Sequence, residues 1–120
     1  MGVAHYVVLE KAIDGLNTLM DGKSLSRHIE SLDAAARQLG VRPLSGFFSM
    51  PPEDLAEFVE DTDIELPPLQ QFSAQDGLTT IRALLPQPEA QLALEDLKAC
   101  ERILQAAADH GVGWHFQIDV

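Results

Sequence analysis

The sequence predicts an α+β fold in which a small antiparallel sheet, formed by the N- and C-terminal strands, is packed with about four helices. Three observations carry this expectation. His5 to Glu10 (His-Tyr-Val-Val-Leu-Glu) is a short β-branched and aromatic run. At the other end, Trp114, Phe116, Ile118 and Val120 alternate with His115, Gln117 and Asp119, the two-residue period of a half-buried strand. Between them, apolar residues recur at helical spacing in stretches punctuated by Ser, Pro and Gly.

The first strand is followed by turns at Asp14-Gly15 and Asp21-Gly22, with Leu16 to Met20 open to either strand or loop. From Ser24 the positions Leu25, Ile29, Leu32, Ala36 and Leu39 define one amphipathic helix, with Ser24 or Ser26 as N-cap and Gly40 as the stop. Pro43 blocks its continuation, and the apolar connection Leu44 to Met50 brings Phe47 or Phe48 to the core. Pro52 suits the first position of a second helix, where Glu53 and Asp54 favour the positive end of the dipole and Leu55, Phe58 and Val59 form a narrow apolar stripe. Residues 61 to 71, with Pro67-Pro68, read as an extended connector.

Ser73 restarts helix. Asp76 stands three residues on, for a reciprocal cap, and Leu78, Ile81, Leu84 and Leu85 supply the buried face until Pro86. Pro88 opens the last helix, whose face runs through Leu92, Leu97, Cys100, Ile103, Leu104 and Ala107 to a stop at Gly111. The 120 residues form one expected domain spanning 1 to 120; with 46% apolar and 22% charged residues, the chain has the composition of a packed globule.

The single Cys100 has no intramolecular partner and falls within a helix, which points to a reducing compartment. The first ten residues carry no export signal, and no stretch is long enough to span a bilayer, so the expected location is the cytoplasm. Charge is more informative. Of a net −11, residues 1 to 42 contribute nothing (five acids, five bases), whereas residues 43 to 81 hold eight acids and no Lys or Arg. A surface of this kind disfavours nucleic acid and anionic membranes and favours a basic protein partner.

The partner-binding residues this reading selects are Glu53, Asp54, Glu57, Glu60 and Asp61, carboxylates that repel one another without a countercharge. The alternative is a solvated helix face. Asp61, Asp63 and Glu65 alternate like the start of a calcium loop, but the turn glycine and the distal bidentate Glu are missing. Of four histidines, His5 and His115 would approach each other if the terminal strands pair, giving a weak candidate metal or acid–base site near Trp114. His110, in a last helical turn, suits the dipole as a structural group. Cys100, on a buried face, is a poor nucleophile. No nucleophile elbow, phosphate loop or dinucleotide fingerprint is present, and no cofactor is expected.

The run from Gly40 to Phe58 (Gly-Val-Arg-Pro-Leu, Phe-Phe-Ser, then Pro-Glu-Asp-Leu-Ala-Glu-Phe), Phe72-Ser73-Ala74 ahead of Gly77-Leu78, and the closing Trp114-His115 resemble a group of short bacterial proteins of unknown function. The resemblance implies a bacterial origin and supplies no catalytic residue. The leading expectation is therefore a non-enzymatic acidic protein that docks a basic macromolecule, as an immunity protein or small regulatory subunit does. The alternatives are a small enzyme or ligand or metal binder built on His5 and His115, and a protein acting through apolar self-association.

Overall fold

The computed structural model describes residues 3–55 and 68–119 of the chain. Strands β1 (Ala4–Leu9) and β2 (Trp114–Asp119) pair antiparallel with Ala4 opposite Asp119 and Leu9 opposite Trp114, so the two ends of the chain close one two-stranded sheet. The helices are α1 (Lys23–Arg27), α2 (Ile29–Leu39), α3 (Pro52–Leu55), α4 (Ala74–Leu84) and α5 (Leu94–Asp109), with 3₁₀ turns at Leu44–Phe47 and Pro88–Ala93. The α+β class and the terminal-strand sheet are as the sequence predicts. The expected helical stripe at Phe58 and Val59, and the connector from residue 61 to Pro67, lie outside the described residues.

The core runs from the inner face of the sheet to the buried stripes of α2, α4 and α5. Val7, Trp114 and Phe116 meet Leu32, Leu78, Ile81, Leu97, Ile103 and Leu104, all but Val7 without exposure. An aromatic group anchors it. Trp114 stacks on Phe47 at 4.9 Å and meets Phe116 edge-on at 4.8 Å, geometries worth about 0.5–1.5 kcal/mol each beyond burial. Trp114 also donates its indole N–H to the Ser73 carbonyl at 3.0 Å, so its one polar atom is satisfied. The outer edge of β2 is covered by short bridges from Phe48 and Phe72.

Several local readings need correction. The helix expected from Ser24 is broken at His28, whose backbone (φ −116°, ψ 17°) is not helical. Leu25 on α1 and Leu32 on α2 are both fully buried, α1 against β1 and α5, α2 against α4, and the bend lets each segment follow its own partner. Neither Ser24 nor Ser26 is the N-cap. Gly22 holds that place in the left-handed conformation and has no capping side chain of its own. The carboxylate of Asp96 on α5 fills the role, accepting from Gly22 N–H at 3.1 Å and Leu25 N–H at 2.9 Å.

Asp33 on α2 does the same for the 3₁₀ turn, accepting from Ser45 N–H at 3.2 Å. Leu92, expected on a buried face, is 50% exposed: Pro88 opens a 3₁₀ turn rather than α5, and its three-residue period buries Ala90 and Ala93 instead. Leu39, in the last turn of α2, is also exposed. Ser73 caps α4 by accepting Asp76 N–H at 3.4 Å, and Gly40 and Gly111 stand at positive φ after α2 and α5, as their positions predict.

Candidate functional site

The pairing register decides how the terminal-strand histidines relate. His5 stands opposite Ile118 and His115 opposite Val8, and side chains alternate along a strand, so the two imidazoles lie on opposite faces of the sheet. The structure does not bring them into one site. Only His5 shares the inner face with Trp114. Among the described residues, no group of three or more His, Cys, Asp or Glu side chains is arranged to hold a metal ion.

His5 faces the helices. Its Nδ1 meets Ser26 Oγ on α1, its ring lies edge-on to Phe116 at 6.0 Å, and its backbone N–H donates to Gly22 C=O at 3.1 Å. Burial lowers its pKa, and the Asp33 charge partly opposes that. Asp33 is committed to capping Ser45. The pair therefore ties β1 to α1, a contact that sequence spacing did not reveal because its partners are brought together only by the turn at Gly22.

The outer face carries a chain of hydrogen bonds. Gln71 Oε1 lies 3.0 Å from His115 Nδ1, Gln117 Nε2 lies 2.8 Å from His115 Nε2, and Tyr6 donates to Gln117 Oε1 at 3.1 Å. Because the Gln117 amide nitrogen can only donate, Nε2 must be the acceptor and Nδ1 must carry the proton to Gln71. A neutral imidazole satisfies every member, and burial lowers the His115 pKa in agreement. The chain leaves His115 no free nitrogen for a metal.

Tyr6 ends this chain beside acid. Its pKa is raised first by burial and then by the carboxylates of Asp119 and Asp54. Glu53 and Asp54 are exposed in the first turn of α3; Glu57, Glu60 and Asp61 lie outside the described residues, as do Asp63 and Glu65. Three of the arginines are engaged elsewhere. Arg42 stacks over Phe72 and Phe47 at 4.6 and 5.0 Å, Arg82 pairs with Glu101 at 3.2 Å, and Arg102 donates to the Asn17 carbonyl at 2.6 Å.

A cleft of about 550 Å³ runs between β1 and the loop before α1. Val7, Leu9, Ile13, Leu16 and Met20 make its walls apolar, and its titratable side chains are Tyr6, Asp21 and Asp119. Nothing in the sequence marked it, since the loop from Ala12 to Asp21 has no regular spacing. Cys100 is fully buried 4.0 Å from Met20 Sδ, and burial, then Asp96, pushes its thiol pKa far up, which removes it as a nucleophile. His110 closes α5, its Nδ1–H donating to Ala106 C=O at 2.8 Å. No helix among the described residues is long and apolar enough to cross a membrane. Comparison with protein-family models, with curated proteins and with solved structures finds no match.

Proposed function

We propose that this chain is a non-enzymatic acidic binding protein that docks a basic macromolecular partner through the surface bearing Glu53, Asp54, Glu57, Glu60 and Asp61, in the manner of an immunity protein or a small regulatory subunit. The observation that carries the reading is the charge distribution: eight carboxylates and no Lys or Arg between residues 43 and 81 of a chain with net charge −11. Such a field accelerates encounter with a cationic surface and repels nucleic acid. Asp54 and Asp119 acting together on Tyr6 support the reading, since they extend the acid from one segment of sequence into a patch. The buried Cys100 thiol suits a reducing, cytoplasmic setting.

Affinity capture from a bacterial lysate at low and moderate salt tests it, comparing the natural chain with one carrying Glu53→Gln, Asp54→Asn, Glu57→Gln, Glu60→Gln and Asp61→Asn. A basic protein retained by the first and lost from the second is the expected result. Retention indifferent to both salt and the substitutions would refute the reading. A site shared by His5 and His115 is not favoured, because they face opposite sides of the sheet.

A further inference from the structure

We infer that the groove beside β1 receives an extended, lysine- or arginine-bearing segment of the partner, which adds to the sheet as a third strand. The inference deepens the proposed docking of a basic macromolecule and rests on it. His5 turns its N–H away from β2 to reach Gly22, and every second residue of a strand directs its backbone groups to the same edge. Val7 and Leu9 therefore present their N–H and C=O groups on that edge too. Among the described residues, no hydrogen bond reaches either of them there.

An open edge of this kind is a template for another strand, and the cleft of about 550 Å³ lies along it. The lining also has a polarity. Asp119 pairs with Ala4, and Asp21 precedes the glycine that holds His5, so both carboxylates stand toward the start of β1. Leu9 and Ile13 belong to the other end, with Leu16 and Met20 on the loop wall. No Lys or Arg lines the groove. A segment with alternate apolar side chains and a cation toward Asp21 and Asp119 matches both ends. A second copy of the chain matches less well, since it brings the same net charge of −11 and so repels the first.

Amide hydrogen exchange of the natural chain, followed by NMR, tests this with three probes: a short peptide alternating valine and lysine, its valine–glutamate counterpart, and the lysine peptide N-methylated at alternate amides. The lysine peptide is expected to slow exchange at Val7 and Leu9 by about tenfold or more when bound, as new ladder bonds do. The glutamate and N-methylated peptides should leave both amides unchanged. Asp21→Asn with Asp119→Asn should weaken the lysine peptide about threefold to tenfold at low salt.

Binding of the lysine peptide with Val7 and Leu9 unaltered would overturn the groove assignment while leaving the broader docking reading in place. So would failure of all three peptides beside a salt-sensitive capture that still succeeds. Equal binding of the N-methylated peptide would remove the strand pairing. Protection of Val7 and Leu9 that grows with protein concentration alone would give the edge to a second copy of the chain and refute the proposal. Failure of both the peptides and the capture would refute the docking reading itself.

Discussion

Asp96 on α5 accepts the Leu25 N–H of α1 at 2.9 Å, and with Gly22 N–H at 3.1 Å on its other oxygen it caps α1 from across the core. Helix α1 has five residues, far too few to persist alone. Its position against β1 depends on this carboxylate and on the full burial of Leu25. Asp96→Ala leaves two N–H donors without an acceptor and should cost about 2–3 kcal/mol of folding stability. Asp96→Asn keeps one acceptor oxygen and should cost less. Urea unfolding of the three chains measures the ranking, and equal midpoints would contradict the capping role.

Gly77 is a second point where the core admits no change. A methyl group added there would stand 2.4 Å from Trp114 Cζ2, and that ring is held by Phe47, Phe116 and the Ser73 carbonyl. Gly77→Ala gains helix propensity but overpacks the core, so a net loss of about 1–2 kcal/mol is expected. Trp114 is the chain's single tryptophan, and its fluorescence reports the displacement directly. Gly40→Ala is the contrast: Gly40 stands at φ 76° with nothing within 4 Å of an added methyl group, so the change costs only backbone strain.

The parts of this structure legible in the sequence are those governed by local periodicity. The alternation of Trp114 to Asp119, the stripe from Leu97 to Ala107 and the Ser73 cap follow from neighbours along the chain. What was not legible arises from partners far apart. Asp33 and Asp96 look like surface acids, yet each is 6% exposed and caps an element on another part of the chain. His5 and His115 are both terminal-strand histidines, and only the register shows that an odd offset separates their faces. The cleft beside β1 depends on how an irregular loop folds back, which no spacing rule encodes.

Tyr6, the chain's single tyrosine, reports on the acidic patch without a partner. Its pKa is raised by burial, Asp119 and Asp54. Asp54→Asn and Asp119→Asn should each lower it, the double change more than either, and added salt should lower it in the natural chain. Ultraviolet titration of the phenolate follows all four cases. An unmoved Tyr6 in the double variant would show that Asp54 and Asp119 do not share its surface.

His5 and His115 make stability sensitive to mild acid. Both have folded pKa values below the ordinary 6.5. Between the folded value and 6.5, the unfolded chain binds more protons, so this contribution is fully present above about pH 6.5 and declines as pH falls through the folded values. His115→Gln removes one titrating group and should shrink the loss of urea midpoint between about pH 7 and pH 5. A loss unchanged in that variant and in His5→Asn would place the acid sensitivity elsewhere.

The most direct measurement of the central claim is the association rate with the captured basic partner as a function of ionic strength, for the natural chain and for the chain neutralised at Glu53, Asp54, Glu57, Glu60 and Asp61. Docking through the acidic surface predicts a rate that falls steeply with salt in the natural chain, and a slower, nearly salt-independent rate in the neutralised one. Two chains with the same rate and the same salt slope would contradict it.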